Sequence, residues 1–501
     1  MANVHEVKMQ KDIIGRMSEK GILAKLFRSS NPEFLAIYGR RRIGKTFLIR
    51  NFFETDKNSD DIYFEVTGQK DAPLRTQLSN FSDAFSRFLV SQCEIKESKN
   101  WNQALNMLAN EIDRRKIKGK CILFFDEIPW LASRKSGFLQ ALDYFWNSWA
   151  SRKKNIVLIV CGSAASWMIR NVLHHKGGLH NRVTAKMRLL PFTLSETCAY
   201  LKSKKITLEQ KQIVDLYLCI GGVPHYLNQI ERGESPAQAI DRICFTKDGF
   251  LVDEFDKLFV SLFEHSDGYI QVIAALAKKR AGLTRNEILK NCQLETGGSI
   301  TKILEGLEES GFIARYIPFD KKSNDAIYRL IDEYSFFYLT WIKKAPGRIF
   351  VTKPSGYWLQ MTQSSRAWSA WVGYAFEGIC HKHDKEIKHG LGISGMSSNT
   401  SSWYYKPKQN NERGTQIDML IDRADNCISL CEIKYTNTEF VITKSYADEL
   451  KNKRDQLKRI TGTKKNIFIA LITPHGLKEN NYSQSLVDQQ LTMNVLFPHD
   501  K

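Results

Sequence analysis

The stretch FLAIYGRRRIGKTFLIRNFF, residues 34–53, decides the fold of the N-terminal part of the chain. An apolar segment precedes the pattern GxxxxGKT, and a segment with apolar residues at helical spacing follows it. This order predicts a buried strand, a glycine-rich loop and a helix, because the free N–H groups at a helix N-terminus can face phosphate oxygens. The stretch therefore predicts a phosphate-binding loop in an α/β domain.

Each residue type in this loop has a physical reason. Gly39 and Gly44 let the backbone wrap a β-phosphate, Lys45 is expected to bridge the β- and γ-phosphate oxygens, and Thr46 is expected to hold Mg²⁺. The complete set of residues expected to bind the nucleotide in this loop is Gly39, Arg40, Arg41, Arg42, Ile43, Gly44, Lys45, Thr46 and Phe47.

Two further apolar segments end in polar residues that complete this site. CILFFDEIPWL, residues 121–131, predicts a buried strand that ends at Asp126 and Glu127. We expect Asp126 to hold Mg²⁺ through water and Glu127 to activate the attacking water, although an exposed acidic turn is the alternative. NIVLIVCGSAASW ends near Ser163, whose hydroxyl could sense the γ-phosphate. Arg182 and Arg188 are candidates to reach the γ-phosphate of a neighbouring subunit, or are plain surface charges.

The motifs GRRRIGKT, FFDEIPWLA, GSAASWM and IGGVPHYL, in this order, resemble the archaeal-type AAA+ ATPases, a branch close to the STAND NTPases. The resemblance covers about residues 10–260. It implies ATP rather than GTP, a three-layer α/β core, and a small helical lid in which Pro224 lies near the adenine. The sequence departs from the family at Asn181-Arg182, where a Gly-Arg pair is usual.

The length and net charge of the chain indicate its number of domains and the class of its partners. A chain of 501 residues is long enough for several domains, and no stretch resembles a signal peptide or a membrane span, so a cytoplasmic location without membrane contact is expected. The net charge is +19, and residues 1–192 alone carry 32 basic and 18 acidic side chains. This excess indicates a nucleic-acid partner near the N-terminal part, or a solvated basic face.

The sequence between the two ends predicts mostly helices. We assign residues 1–192 to the ATPase core, 193–260 to the lid, 261–330 to a winged-helix module and 331–370 to a helical linker. The winged helix rests on three helical segments followed by two strand-like ones, FIARYIPF and KKSNDAIYRLI. The third helix carries Glu305, Glu308 and Glu309 against Lys302, so a structural wing or dimer contact is favoured over insertion into a DNA groove.

The C-terminal segment TQIDMLIDRADNCISLCEIKY predicts two strands joined by a turn at residues 424–426. If the loop has three residues, the residue numbers of two directly opposed residues add up to 850. Asp418 then lies opposite Glu432, on the face that carries Lys434. Two carboxylates brought together repel unless a cation joins them. Mg²⁺, or Mn²⁺ in its place, would fit between them, and its bound water would attack a phosphodiester. Lys434 would position that water or stabilise the charge that develops on the phosphate.

Over about residues 368–475 this pattern resembles the PD-(D/E)XK nuclease fold. That fold is found C-terminal to this type of ATPase in the family with a DUF234-type C-terminal domain. The resemblance implies that a preceding helix adds Glu377 to the metal site, within a domain over residues 371–501. The basic helix KSYADELKNKRDQLKRI offers Lys451, Lys453 and Arg454 to a nucleic-acid backbone. His381 and His383 are expected at a solvated helix end, with metal ligands as the less favoured alternative. A structural Glu-Lys ion pair at the strand end is the alternative to a nuclease.

Together these predictions describe an α/β multidomain protein with a P-loop NTPase core, a helical lid, a winged helix and a PD-(D/E)XK-like domain. The expected function is Mg²⁺-dependent ATP hydrolysis coupled to a metal-dependent nuclease that acts on DNA rather than RNA, in defence or DNA processing. The alternative is an ATP-dependent regulator or scaffold that binds nucleic acid or protein without cleavage. A homo-oligomer or a partner protein is expected.

Overall fold

The computed structural model describes residues 13–53, 60–89, 97–173, 178–279, 281–294, 297–347, 356–405, 407 and 414–498. The chain divides into two compact units, residues 1–191 and 192–501. In the described ranges no helix combines the length and the apolar character needed to cross a membrane.

The first unit is built on a five-stranded sheet in the order β2-β3-β4-β1-β5, and all of its strand pairs are parallel. The strands are β1 Glu33–Tyr38, β2 Ile62–Thr67, β3 Cys121–Asp126, β4 Ile156–Gly162 and β5 Ala185–Arg188. The helices are α1 Met17–Arg28, α2 Lys45–Phe53, α3 Leu74–Phe88, α4 Trp101–Arg115, α5 Ile128–Leu131, α6 Phe138–Ser148 and α7 Ala165–Met168.

Both faces of this sheet are covered by helices. Every residue of β3 and β4 is buried, as expected for central strands of a parallel sheet. In β1, Leu35 and Ile37 pack with side chains of α1 and α2, whereas Phe34 and Ala36 pack with side chains of α3, α4 and α6. Side chains alternate along a strand, so the two sets belong to opposite faces. The predicted α/β core is therefore confirmed, with three layers.

The second unit begins with helices and a small sheet. Its first helices are α8 Leu194–Ser203, α9 Gln210–Ile220, α10 Pro224–Leu227, α11 Pro236–Cys244, α12 Glu254–Leu262, α13 Ser266–Lys278, α14 Arg285–Cys292, α15 Gly298–Glu309, α16 Glu333–Phe337 and α17 Tyr357–Ser364. Strands β6 Leu283–Thr284, β7 Ile313–Tyr316 and β8 Ile327–Leu330 form an antiparallel sheet in the order β6-β8-β7. The helices and the hairpin lie where the sequence predicts them, while their identity as a winged helix stays a prediction.

The C-terminal part of the second unit is a mixed five-stranded sheet in the order β13-β12-β11-β10-β9. Its strands are β9 Ser398–Tyr405, β10 Thr415–Arg423, β11 Cys427–Ile433, β12 Asn466–Thr473 and β13 Gln489–Thr492, and its helices are α18 Arg366–Lys382, α19 Asp384–Gly390, α20 Lys444–Thr461 and α21 Asn481–Leu486. One hydrophobic core includes Leu216 of α9, Trp371 of α18 and Ile433 of β11. The finer division at residues 193–260, 261–330, 331–370 and 371–501 stays a prediction.

The register of the β10–β11 hairpin is confirmed. Strand β10 ends at Arg423 and β11 begins at Cys427, so three residues form the loop, and Asn426 adopts the left-handed conformation that its short polar side chain tolerates. Met419 pairs with Cys431 and Leu420 with Leu430, which is the predicted sum of 850.

Candidate functional site

The phosphate-binding loop between β1 and α2 is held by contacts within the first unit. A side chain at Gly39 would place its Cβ 2.3 Å from the Leu189 carbonyl oxygen, and Gly39 has a φ of 148°. The Arg16 guanidinium donates to the carbonyl oxygens of Leu190 at 2.7 Å and Ile43 at 3.2 Å. Arg16 thus fixes the loop against the chain after β5. It lies 29 residues before Lys45, and its role carries no local sequence signal.

Lys45 is a buried cation with an unusual set of acceptors. Its ammonium donates to the carbonyl oxygens of Gly39 at 2.9 Å and Arg40 at 3.0 Å, both in the loop itself. Carbonyl oxygens satisfy the hydrogen bonds of an ammonium but do not neutralise its charge. The residue therefore keeps its attraction for phosphate oxygens.

Thr46, in the first turn of α2, meets Asp126 at the end of β3, as the sequence predicts for a pair of magnesium ligands. The Thr46 hydroxyl donates to Asp126 Oδ2 at 2.6 Å, and the Glu127 backbone N–H donates to Asp126 Oδ1 at 2.9 Å. Burial raises the pKa of Asp126, because a carboxylate loses hydration inside the protein, and the Thr46 hydrogen bond opposes this shift. Among the described residues no ammonium group pairs with Asp126, and a hydroxyl beside such a carboxylate fits a hard divalent cation.

Glu127 and Ser163 are in direct contact. Glu127 has a φ of 48° and precedes α5, and its Oε2 accepts hydrogen bonds from the Ser163 hydroxyl at 2.9 Å and from the Ser163 N–H at 3.2 Å. The residue proposed to activate water is therefore tied to the residue proposed to sense the γ-phosphate. The sequence places both at this sheet edge, but it does not predict their hydrogen bond.

The other predicted nucleotide-binding residues are spread over different environments. Arg40 is buried, while Arg42 is exposed with a φ of 69° and Phe47 is about half exposed. Ile43 is buried and Arg41 is half-buried. The roles of these side chains in nucleotide binding stay predictions. Arg182 is exposed in the first unit, and Pro224 begins α10 in the second, so their assignments as arginine finger and adenine contact also stay predictions.

The second group of predicted residues lies in the C-terminal sheet. The Lys434 ammonium is 4.0 Å from Asp418 Oδ2 and 3.7 Å from Glu432 Oε2. Asp418 Oδ2 also accepts the Ile433 N–H at 3.0 Å, which extends the hairpin beyond the last paired residues. The structure therefore brings these three side chains together, as the register predicts.

The prediction that Lys453 faces a nucleic-acid backbone is wrong. It is 8% exposed, and its ammonium is 2.7 Å from Glu432 Oε2, so it does not face a nucleic-acid backbone. The signal is present in the sequence: Ala447, Leu450, Lys453 and Leu457 follow helical spacing and form the buried face of α20. The Tyr446 hydroxyl donates to the same Glu432 oxygen at 3.3 Å.

Three carboxyl groups influence one another at this sheet edge. Burial, reinforced by Asp418, raises the pKa of Glu432 to about 7 and that of Glu377 to about 8. Glu377 lies on α18, as predicted, but the described residues contain no group of three or more His, Cys, Asp or Glu side chains arranged to hold a metal ion. The cations that meet Asp418 and Glu432 in this structure are the ammonium groups of Lys434 and Lys453.

The expectation that His381 and His383 lie at a solvated helix end is wrong. Both are buried, because α18 and α19 pack into the core of the second unit. His381 Nε2 is 2.9 Å from the Asp418 carbonyl oxygen, and His383 Nε2 accepts the Leu194 N–H at 3.1 Å. Burial lowers the pKa of His381 to about 3 and that of His383 to about 4.

A family model matches the first part of the chain, and one relative aligns with most of the chain. Residues 15–230 match the family model ATPase_2, described as an ATPase domain predominantly from Archaea. An uncharacterized protein of Methanocaldococcus jannaschii is 28% identical over 426 residues, which cover 84% of this chain and 87% of that protein.

Two solved structures are also similar to this chain. The Walker-type ATPase PABY2304 of Pyrococcus abyssi has 18% identity and a TM-score of 0.46, and the match covers 67% of this chain and 98% of that one. The ORC2 protein of Aeropyrum pernix has 14% identity and a TM-score of 0.40, with 66% and 95% covered. From the family match, residues 15–230 carry an ATPase domain of the archaeal type.

Proposed function

We propose that the ATPase domain hydrolyses ATP with Mg²⁺ held by Thr46 and Asp126. The observation that carries this proposal is the 2.6 Å hydrogen bond between the Thr46 hydroxyl and Asp126, beside the Lys45 ammonium of the same loop. Bound Mg²⁺ would neutralise part of the phosphate charge. Lys45 exchanges its carbonyl acceptors for phosphate oxygens, and the N-terminus of α2 adds backbone N–H groups.

Glu127 is the general base in this proposal. It accepts a proton from water as the water oxygen forms a bond to the γ-phosphorus, and the bond from that phosphorus to the bridging oxygen breaks to release ADP. Ser163 holds Glu127 through two hydrogen bonds. These hydrogen bonds fix the direction of the Glu127 carboxylate.

Two substitutions separate binding from hydrolysis. Lys45→Ala is expected to abolish binding of a fluorescent ATP analogue, whereas Glu127→Gln is expected to retain binding and to lower turnover about a hundredfold or more. Lys118→Ala, which changes an exposed lysine of the same unit, serves as the matched control. Wild-type turnover in Glu127→Gln would remove Glu127 from the mechanism.

A second function is proposed for the C-terminal sheet: hydrolysis of DNA phosphodiesters with Mg²⁺ or Mn²⁺. Its support is the position of Asp418 and Glu432, both within 4.0 Å of the Lys434 ammonium. Carboxylate oxygens are suitable ligands for these ions, and an ammonium beside them can stabilise charge on a phosphate. The exposed basic residues Lys451 and Lys458 of α20 offer contacts for a DNA backbone.

The test is DNA cleavage by the full chain with either metal. Glu432→Gln and Lys434→Met are each expected to stop cleavage and to leave ATP turnover unchanged. Cleavage that survives both changes would contradict the assigned site. A chain that turns over ATP and binds DNA without cutting it, alone or with a partner, corresponds to the regulator alternative, which the Lys453–Glu432 pair favours.

Oligomer formation belongs to the same proposal. Arg182 is exposed and could reach the γ-phosphate of a second copy. Arg182→Ala is expected to slow ATP turnover only at protein concentrations where the chain self-associates.

A further inference from the structure

Glu432 has two cationic side chains beside it. Its side chain is completely buried, its Oε2 lies 2.7 Å from Lys453 and 3.7 Å from Lys434, and Lys434 is 4.0 Å from Asp418. A divalent cation bound to Glu432 would lie close to the Lys453 ammonium. Repulsion between the two cations is poorly screened in a buried site, so Lys453 opposes metal binding at Glu432.

The other oxygen of the Glu432 carboxylate differs from Oε2 in its surroundings. Glu432 Oε1 is buried and has no hydrogen-bond partner among the side chains and backbone groups that the structure describes. A buried carboxylate oxygen without a donor carries a desolvation cost, which a metal ligand bond would relieve. Glu432 is therefore oriented with one oxygen on Lys453 and the other available for a ligand.

Lys453 also has a second anionic neighbour. Its ammonium is 3.3 Å from Glu449 Oε1, one helical turn earlier on α20, and the Glu449 side chain is 52% exposed. The flexible lysine side chain can therefore leave Glu432 and remain paired with Glu449 at the surface. In the structure the ammonium lies between Glu432 inside the site and Glu449 at its rim.

We propose that Lys453 is an internal counter-ion that competes with a divalent cation for Glu432, so that the metal binds only when an anionic phosphodiester enters with it. This inference rests on the proposed phosphodiesterase site and names its regulation. The phosphodiester brings one negative charge and offers Lys453 another acceptor. Metal binding and DNA binding are then mutually dependent, because each supplies the charge that the other needs.

The direct test measures Mn²⁺ binding by electron paramagnetic resonance, with the metal alone and with a short DNA duplex. All proteins carry Asp126→Asn, so that the ATPase site does not bind the ion. With Lys453 intact, Mn²⁺ binding is expected to be weak and to tighten about tenfold or more when DNA is added. In Lys453→Met, Mn²⁺ alone is expected to bind at least about tenfold more tightly than with Lys453 intact, and DNA adds little.

Matched variants locate the effect. Lys444→Met removes an exposed lysine from the same helix and is expected to leave Mn²⁺ affinity unchanged, both without and with DNA. Lys453→Arg keeps the positive charge and is expected to bind Mn²⁺ weakly. Glu432→Gln together with Lys453→Met is expected to lose the gained affinity. If Lys453→Met unfolds, Lys453→Gln replaces it, and a rise of its unfolding temperature with Mn²⁺ becomes the readout.

The outcomes separate this inference from the proposed cleavage. Equal Mn²⁺ affinity in the protein that retains Lys453 and in Lys453→Met would overturn the inference, even if DNA is cleaved. Tighter Mn²⁺ binding in Lys453→Met without any DNA cleavage would support the counter-ion and contradict the cleavage function. Mn²⁺ binding that DNA does not change while Lys453 is intact would also overturn the inference.

Discussion

Two acidic sites lie at the ends of buried strands, one in each unit, and they differ in what balances their charge. Asp126 accepts hydrogen bonds from a hydroxyl and a backbone N–H, and neither donor carries a charge. Glu432 accepts from the Lys453 ammonium, and Lys434 lies near both Glu432 and Asp418. The first site keeps negative charge available for a cation, while the second has cations of its own.

This difference shows that acidic residues at a strand end do not by themselves define a metal site. The donors around each carboxylate decide how much charge remains for a ligand. Neutral donors orient Asp126 without cancelling its charge. Ammonium donors orient Glu432 and cancel it, so the second site needs a rearrangement before it can bind a divalent cation.

The largest predicted effect concerns the first site. Asp126→Asn is expected to lower ATP turnover by about 10²–10³-fold, about 3–4 kcal/mol of transition-state stabilisation, because the amide removes the anionic metal ligand. Stability of the first unit is expected to change little, since burial already disfavours the charged form of Asp126. Steady-state ATPase assays and thermal unfolding measure the two effects. If Asp126→Asn unfolds the first unit but the folded molecules keep wild-type ATP turnover, Asp126 stabilises the fold and is not a metal ligand.

In the second site the matched change is expected to act on stability instead. Glu432→Gln leaves the Lys453 ammonium buried without its closest counter-charge, at a cost of about 3 kcal/mol. This value is at the lower end for broken buried pairs, because Glu449 remains 3.3 Å away. Urea unfolding of the wild-type protein, Glu432→Gln, Lys453→Met and the variant with both changes gives the coupling energy between the two side chains. Additive losses in the double variant would show that the pair does not interact.

Sequence reasoning succeeded where the information is local. GRRRIGKT predicts its loop because adjacent residues form it, and the three-residue turn fixes the β10–β11 register. It failed where a contact joins distant segments. Arg16 holds the loop through Ile43 and Leu190, and Lys453 reaches Glu432 from another element. A basic helix indicates a surface, and only the apolar spacing around Lys453 indicates that this lysine points inward.

The buried histidine at the α18–α19 junction makes the second unit sensitive to acid. His383 has a folded-state pKa of about 4, below its ordinary value near 6.5, because burial and the Lys382 charge oppose protonation more than the Ile379 carbonyl favours it. The unfolded chain therefore binds more protons between these values. The stability that neutral His383 contributes is present above pH 6.5 and is lost as the pH falls toward 4.

At about pH 5 this loss is expected to be about 2 kcal/mol relative to pH 7. His383→Gln retains an acceptor for the Leu194 N–H and cannot be protonated. Between pH 7 and pH 5, its free energy of unfolding is therefore expected to fall by about 2 kcal/mol less than that of the wild-type protein. Chemical unfolding at the two pH values measures the difference between the two proteins. Parallel losses in both proteins would mean that another group causes the acid sensitivity.

The smallest predicted effect tests how the second site is anchored outside its own sheet. Glu432 lies on β11, and Tyr435 follows shortly after this strand. The Tyr435 hydroxyl donates a hydrogen bond of 2.5 Å to Oδ1 of Asp215 on α9. Asp215 also accepts from Lys211 at 2.7 Å, so it stays paired when the tyrosine hydroxyl is removed. Tyr435→Phe is therefore expected to cost only about 1 kcal/mol, the net value of one hydrogen bond.

The first site has the corresponding anchor in Arg16, a charged side chain that makes two hydrogen bonds to the loop and the chain after β5. Tyr435 makes one such bond to another element, so we expect its loss to loosen the end of β11 rather than unfold it. Amide hydrogen exchange in residues 430–435 should rise in Tyr435→Phe and stay unchanged in Tyr482→Phe, whose ring lies at the surface. Unchanged exchange in both variants would mean that packing of the Tyr435 ring against Phe376, at 5.0 Å, holds the strand end without the hydrogen bond.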